Sequence, residues 1–250
     1  MKTVHAVSII VATAALVVLG GFSHASQMDT DIESQAKQSY VFQNYLKSDD
    51  VKVQAKDGVV TLTGTVSEES KKSLAGETVA SLPNVKKVDN KLQVKGESPA
   101  EKSDAWIKMK VKTTLFFHRS VSAATEVDVK DGVVTLRGEA DSQAEKDLTA
   151  EYAKDVDGVK SVKNEMTVAK APQEKRTVGD KIDDASITAL VKMTLLSHKS
   201  TSGLKTSVKT TDGVVTLSGE AANAAEMALA TKLAADVNGV KSVDNRMTVK

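Results

Sequence analysis

Three segments of the chain repeat one order of apolar and polar positions, and each repeat is centred on the same six residues. The hexapeptide Asp-Gly-Val-Val-Thr-Leu occurs at residues 57–62, 131–136 and 212–217. In each copy a strand-like segment leads into the Asp-Gly turn and β-branched residues follow it, which predicts a β-hairpin. An identical hexapeptide at three places indicates one small unit used three times.

A helical period lies on both sides of each hairpin. Before the second hairpin, Ile107, Val111 and Leu115 recur every four residues, which predicts an amphipathic helix with Asp104 as its N-cap. The third unit repeats this pattern with Asp184 as the predicted N-cap, and the first unit is less regular. A second helix is predicted after each hairpin, over residues 67–82, 141–156 and 223–237. An alternating strand closes each unit, so we predict an α+β fold of three tandem αββαβ domains, each with two helices packed on a small three-stranded mixed sheet.

Alignment of the hexapeptides also sets the boundaries of the units. The predicted domains occupy residues 31–95, 104–169 and 183–250. The intervening segments, 96–103 and 170–182, are polar, contain one proline each and lack apolar periodicity, so both are predicted to be linkers. Domains of about 65 residues fold alone but are only marginally stable. They leave little room for a buried catalytic cavity.

Residues 1–25 have the layout of a secretory signal peptide. Lys2 is followed by an uncharged apolar run from residue 6 to residue 21, and Ser23-His24-Ala25 forms a small-x-small cleavage site. The alternative is an uncleaved membrane anchor, although the apolar run is at the short end of what spans a bilayer. We expect an exported mature chain that begins at Ser26.

Composition excludes several classes of protein. The chain has no cysteine, which rules out a lipoprotein anchor, disulfides and thiolate metal sites. It has 34 basic and 33 acidic residues, and loss of Lys2 with the signal leaves 33 of each, which disfavours a basic nucleic-acid-binding protein. Aromatic residues make up 3% of the chain, too few for a groove that stacks bases or sugars.

The repeated unit resembles the BON family (bacterial OsmY and nodulation domains). The resemblance rests on Asp-Gly-Val-Val-Thr-Leu-x-Gly, a helix, and then Asn/Gly-Val-Lys-x-Val-x-Asn-x-Leu/Met-x-Val, in three copies over nearly all of the mature chain. It implies a non-catalytic domain of envelope proteins, associated with phospholipid binding and with the support of envelope proteins under stress. With the export signal, it predicts a periplasmic protein of the osmotic-stress response, although such proteins usually carry two of these domains.

A lipid-binding surface is predicted on the first helix of the second unit. Trp106, the only tryptophan, lies beside Lys108, Lys110 and Lys112. Because Ile107 and its helical neighbours face the core, Trp106 and Lys110 fall on a more exposed face, which suits an anionic phospholipid surface. A tryptophan at this position also resembles the arrangement in lipid-binding second domains of the family. The alternative is that Trp106 packs against a linker or a neighbouring domain.

A second candidate surface is aromatic and consists of Tyr40, Phe42, Tyr45, Phe116 and Phe117. The first three cannot all lie on one helical stripe, so part of this surface would be exposed. An exposed aromatic surface would suit a chaperone-like protein that binds unfolded or nascent envelope proteins. The alternative is core packing of a less regular helix.

Two histidines, His118 and His198, occupy equivalent positions after the first helix of the second and third units. A matched pair suggests a metal or acid–base site, but neither a nucleophile nor a set of ligands accompanies it. A histidine at a helix C-terminus also interacts favourably with the helix dipole. We therefore predict no catalytic residue, no metal and no cofactor, and the expected partners are an anionic membrane surface or client proteins.

Overall fold

The computed structural model of the chain describes residues 21–96, 99–121, 125–169, 182–201 and 205–250. The predicted signal peptide lies outside the described residues as far as residue 20, and its predicted cleavage point falls within the first helix. Most of the second predicted linker also lies outside them. Within the described ranges, no helix is long and apolar enough to cross a membrane.

Each domain has the predicted order of elements. The first contains α1 Gly21–Gln38, α2 Tyr40–Asn44, β1 Asp50–Lys56, β2 Val59–Val66, α3 Glu69–Ala80, β3 Lys87–Asn90 and β4 Gln93–Val94. The second contains α4 Asp104–Phe117, β5 Glu126–Lys130, β6 Val133–Arg137, β7 Glu139–Ala140, α5 Gln143–Lys154, β8 Ser161–Asn164 and β9 Thr167–Val168. The third contains α6 Asp184–Ser197, β10 Lys205–Thr211, β11 Val214–Ala221, α7 Ala224–Ala235, β12 Ser242–Asn245 and β13 Thr248–Val249. The predicted fold class is confirmed, with the first helix of the first domain broken into α1 and α2.

The sheets are mixed, as predicted. In each domain the hairpin strands are antiparallel, and the second hairpin strand is central and pairs in parallel with the last strand. The last strand is split in two at the same place in every domain. An asparagine fixes each split: the Nδ2 of Asn90 donates to the Lys72 carbonyl at 2.8 Å, and its Oδ1 accepts from the Leu92 amide at 3.2 Å. Asn164 and Asn245 make the same two contacts, so this amide ties the last strand to the second helix.

The Asp-Gly turn of the hexapeptide has left-handed backbone geometry in all three domains. In the third domain Asp212 has φ of 51° and Gly213 has φ of 80°, which are type I′ values. Both amides of this turn donate to the carboxylate of Asp184, at 2.7 and 2.9 Å. Asp104 and Asp29 accept the corresponding bonds in the other two domains. The repeated turn is therefore held against the start of the first helix.

The predicted N-caps are wrong by one residue. Ser103 caps α4 and Asp183 caps α6, each accepting a hydrogen bond from the backbone amide three residues later. Asp104 and Asp184 are instead the first helical residues, and their carboxylates are bonded to the hairpin turn. Asp29 has this role in the first domain, so its first helix begins before the predicted boundary at residue 31.

The three domains pack around α6. Ten of its 14 residues are buried, which is more than one amphipathic face supplies. On one side lies its own sheet, on the other lie α2 and α3 of the first domain, and the end of α4 approaches from the second domain. The first and third domains share one hydrophobic core, whereas the second domain has a core of its own.

Substitution of Gly219 tests the close approach of the hairpin strands. Gly219 has φ of 134°, and an added Cβ would overlap the carbonyl oxygen of Lys205 on β10. We expect Gly219→Ala to lower the free energy of unfolding by about 3 kcal/mol or more, measured by urea denaturation.

Gly96→Ala is the matched control, because Gly96 also has a positive φ, of 80°, but its added Cβ meets nothing within 4 Å. The control should cost only about 1 kcal/mol, from the left-handed backbone alone. Equal costs for the two variants would contradict the steric explanation.

Candidate functional site

The residues predicted to bind lipid lie on α4, in two pairs. Trp106 follows the Ser103 cap, whose Oγ accepts from the Trp106 amide at 3.2 Å. The indole is half-buried, with one part against the core of the second domain. The Nζ of Lys110, one turn later, lies 5.4 Å from the ring centre, which is a cation–π contact. Trp106 and Lys110 therefore form the first pair.

Lys108 and Lys112 form the second pair, on the opposite flank of the helix. At 3.6 residues per turn, Lys108 lies about 160° around the helix from Trp106. Its Nζ is 3.2 Å from Asp128 Oδ1, and this hydrogen bond lowers the pKa of the Asp128 carboxyl. Lys112 is exposed, and both lysines line a shallow basin together with Arg137. The four predicted residues thus do not form a single cluster.

Between the two pairs, the outward face of α4 carries apolar side chains. Ala105 and Phe116 are exposed and Met109 is half-buried. By helical spacing these three lie on one stripe, bounded by Trp106 on one side and Lys112 on the other. We call this the outer face of α4.

Most of the equivalent face of α6 is covered by the first domain, although Leu196, at the position of Phe116, is 56% exposed. Equivalent residues of α4 and α6 are separated by a constant number of positions. Asp104 corresponds to Asp184, and each carboxylate binds the hairpin turn of its domain. His118 corresponds to His198, and each follows its helix. Trp106 then corresponds to Ser186, Met109 to Ala189 and Lys110 to Leu190. All three α6 residues are 0% exposed.

Contacts with the first domain account for this burial. The Val41 amide donates to Ser186 Oγ at 3.1 Å, and Lys192 Nζ lies 2.7 Å from Glu77 Oε2 of α3. One face of the first helix is therefore a docking face in the third domain. In the second domain that face is more open: Lys110 is exposed and Trp106 is half-buried, and Tyr45 contacts Phe116 at its end.

The predicted aromatic surface forms the contact between the first and second domains. The Tyr45 ring centre lies 5.9 Å from that of Tyr40, 4.8 Å from Phe116 and 6.1 Å from Phe117. Phe42, Tyr45 and Phe117 are buried, Tyr40 is half-buried, and Phe116 alone among the five is largely exposed, at 56%. Burial raises the pKa of the Tyr45 hydroxyl, which therefore stays neutral.

The two histidines meet in a buried network between the second and third domains. The Nε2 atoms of His118 and His198 lie 2.9 Å apart, and the two residues are 2% and 1% exposed. The Nδ1 of His118 lies 3.0 Å from Asp236 Oδ2, and the Nδ1 of His198 lies 3.2 Å from Asp155 Oδ2. Each histidine thus pairs with an aspartate of the other domain.

Further hydrogen bonds complete this network. The Tyr152 ring stacks on His118 with centres 3.8 Å apart, and its hydroxyl donates to Asp236 Oδ2 at 2.9 Å. Ser120 donates to the other oxygen of Asp236, and Ser200 donates to Asp155 at 2.6 Å. We call the seven residues of this network the histidine joint: His118, His198, Asp236, Asp155, Tyr152, Ser120 and Ser200.

Burial and hydrogen bonding set the ionisation of the joint. Burial opposes ionisation of Asp236, but hydrogen bonds from His118 and Ser120 outweigh it and hold the pKa of the carboxyl below its usual value. The pKa of Asp155 is lowered in the same way by His198 and Ser200, against the effect of burial. Burial lowers the pKa of His118, although its bond with Asp236 acts in the opposite direction.

The sequence signal for this joint was the equivalent position of the two histidines, and it did not reveal their partners. Asp236 is 118 residues from His118, and Asp155 is 43 residues from His198. Among the described residues, no group of three or more His, Cys, Asp or Glu side chains could hold a metal ion. Because the facing Nε2 atoms bond to each other, the arrangement joins two domains and can take up or release a proton.

Truncation of Asp236 tests how much the joint stabilises the fold. The variant Asp236→Ala removes the carboxylate shared by the buried His118 and the half-buried Tyr152 and Ser120. We expect the free energy of unfolding at pH 7 to fall by roughly 3 kcal/mol, measured by urea denaturation. Because the Asp236 pKa is depressed in the folded state, protonation of this carboxylate itself removes its contribution only as the pH falls through about 4 and below.

Asp244→Ala is the control for this experiment. Asp244 pairs with Arg246 at 2.7 Å on a partly exposed surface, where an ion pair contributes at most about 1 kcal/mol. If the two variants lost the same stability, the joint would have no special part in the fold.

Comparison with known proteins agrees with this architecture. The sequence profile described as "BON domain" matches residues 28–96, 103–170 and 183–250. The osmotically-inducible protein Y of Escherichia coli (strain K12) is 34% identical over 143 residues, which are 55% of this chain and 71% of that protein. An uncharacterised protein of Anaplasma centrale is 31% identical over 147 residues, covering 59% of this chain and 95% of that protein.

Among solved structures, CdsD, a structural protein of the type III secretion system of Chlamydia trachomatis, is 17% identical and aligns over 90% of this chain and 92% of that one. Its TM-score of 0.23 is too low to support a structural argument. The family assignment rests instead on the three profile matches, which span most of the chain, and on the relative from Escherichia coli. This chain belongs to the BON domain family, with three copies of the domain.

Proposed function

We propose that this chain is a non-enzymatic periplasmic protein of the osmotic-stress response that binds anionic phospholipid surfaces through the outer face of α4. The similarity to an osmotically inducible protein supports the link to osmotic stress. The signal-peptide pattern of residues 1–25 supports export to the periplasm.

One observation carries the lipid proposal: the docking face that the third domain buries against the first is open in the second domain. On α6 this face presents Ser186 and Leu190, both fully buried. On α4 the same positions are Trp106 and Lys110. A half-buried tryptophan and an exposed lysine on an open face are available to a partner outside the chain.

The chemistry of the outer face suits a membrane surface. Indole rings settle at the depth of the lipid headgroups, and a stripe of apolar side chains such as Met109 and Phe116 can enter the boundary with the acyl chains. Lys110 and Lys112 lie on either side of this stripe, where their ammonium groups can reach lipid phosphates. Each lysine near an anionic surface contributes roughly 1 kcal/mol, so binding should be weak, reversible and sensitive to salt.

Chaperone-like binding of client proteins is the second candidate, and the exposed ring of Phe116 favours it. The remaining aromatic residues offer less surface to a client, because Phe42, Tyr45 and Phe117 are buried. The assay is suppression of aggregation of an unfolded outer-membrane protein. We expect Phe116→Ala to reduce any suppression, and no suppression by the unmodified protein at equimolar concentration would eliminate this role.

Flotation with liposomes tests the lipid proposal. We expect the mature protein to float with vesicles containing anionic phosphatidylglycerol and not with vesicles of phosphatidylcholine alone. Trp106→Ala should weaken binding about tenfold, which corresponds to 1.4 kcal/mol. Raising the salt concentration should release the protein, because the attraction of the lysines is screened.

Two matched controls accompany this test. Leu148→Ala truncates an apolar side chain of similar exposure on the neighbouring helix α5, and it should leave binding unchanged. Lys110→Gln removes an exposed charge beside the outer face and should weaken binding, whereas Lys130→Gln removes one elsewhere in the domain and should not. Equal binding by Trp106→Ala and the unmodified protein would show that α4 is not the lipid-binding site.

A further inference from the structure

We propose that the histidine joint is an acid-sensitive latch, which holds the second domain against the third at neutral pH and opens on uptake of one more proton. The proposal does not rest on lipid binding, because no residue of the histidine joint belongs to the outer face of α4. It would regulate how the second domain is presented to any partner.

The proton count follows from the hydrogen bonds. Each Nδ1 faces an aspartate oxygen, so both rings must carry a proton on Nδ1. The two Nε2 atoms face each other at 2.9 Å, a distance that requires one of them to donate and the other to accept. The closed joint therefore accommodates a single Nε2 proton. A second one would place two N–H groups head to head in a buried site.

The charged and titratable groups on the elements packed against the pair do not relieve this conflict. Asp236 comes from the end of α7, and Asp155 and Tyr152 come from α5. The Arg119 guanidinium, next to His118, adds positive charge 3.7 Å from Asp236 Oδ1. The two carboxylates already bond to the Nδ1 atoms, and none of these groups supplies an acceptor between the Nε2 atoms.

The second domain is the part of the molecule that can separate. The first and third domains share one hydrophobic core, which no change of protonation weakens. The second domain has its own core, and among the buried apolar side chains that the structure describes in it, only Phe117 enters the shared one. Opening would therefore preserve each core and would uncover Phe117 and its neighbour Tyr45. Two of the aromatic residues predicted to bind client proteins would then become accessible.

The pH range follows from the sign of the effect. A second proton is disfavoured in the closed state, where burial also lowers the pKa of His118, and it is tolerated once the rings are apart in water. The latch is therefore most firmly closed near the ordinary histidine pKa of about 6.5, because the closed joint keeps one imidazolium, whereas the separated rings lose both extra protons at higher pH and gain both at lower pH. Below that value each pH unit should favour opening about tenfold, because one proton is taken up.

Hydrogen exchange of the mature, full-length protein tests the latch. Two amides cross the joint and report on it directly: Arg119 donates to the Asp236 carbonyl at 3.0 Å, and Lys199 donates to the Asp155 carbonyl at 2.7 Å. Their protection factors, measured by NMR and corrected for the intrinsic exchange rate, should fall about tenfold per pH unit below pH 6.5. Val41, whose amide crosses the other interface to the uncharged Ser186, is the reference and should stay protected.

The variants His118→Asn and His198→Asn separate the latch from general acid sensitivity. An asparagine amide can still donate near the position of Nδ1, but it removes one of the two facing Nε2 atoms. Both variants should lose the tenfold slope between pH 6.5 and pH 5. The proposal is overturned if Arg119 and Lys199 lose protection in parallel with Val41, or if either folded variant keeps the slope. If neither variant folds, the pH dependence of the protection factors of Arg119, Lys199 and Val41 in the unmodified protein is sufficient to support or overturn the latch.

Discussion

Burial of α6 on both sides is the constraint on which the arrangement of the three domains depends. Its sequence, Asp-Ala-Ser-Ile-Thr-Ala-Leu-Val-Lys-Met-Thr-Leu-Leu-Ser, has charges only at Asp184 and Lys192. Asp184 is bonded to the hairpin turn and Lys192 to Glu77 of the first domain, so neither charge is left without a partner. A helix with so little polar surface is stable only when it is covered all round, and one small sheet covers a single face. The third domain therefore requires the first, although more than 80 residues of chain separate their cores.

The third domain contacts the first and second domains through different kinds of interaction. Its contact with the first domain is mainly apolar, and such burial is non-directional and nearly independent of pH. Its contact with the second domain runs through His118, His198 and their aspartates, where each hydrogen bond requires one geometry and one protonation state. A buried ionic network adds little net stability over an apolar contact, but it is costly to break in part. The apolar interface holds the first and third domains together, and the histidine joint fixes the position of the second domain.

The fold could be predicted from the sequence because its signals are local. A type I′ turn favours Asp-Gly, and each hairpin and helix is specified by the pattern of its own segment. The N-caps were missed because serine and aspartate both cap helices well, and the choice between Ser103 and Asp104 depends on a turn 27 residues away. The aspartate partners of the histidines could not be found for the same reason, since they come from another domain. The all-round apolar character of α6 was visible in the sequence, and it indicates a helix buried on both faces.

The outer face of α4 differs from that of α6 in a way that bears on its partner. If the second domain docked another BON domain as the third does, the position of Leu190 would again need an apolar side chain. Lys110 stands there instead, and burying an unpaired ammonium group costs several kcal/mol. Trp106 in place of Ser186 also removes the hydroxyl that accepts the Val41 amide and fills the space with a large ring. These substitutions act against a domain of the same kind and are tolerated by a hydrated, anionic partner.

Positions that the fold itself requires, such as Ile107 and Val111, are apolar in both helices, so the difference is confined to the surface that the chain leaves open.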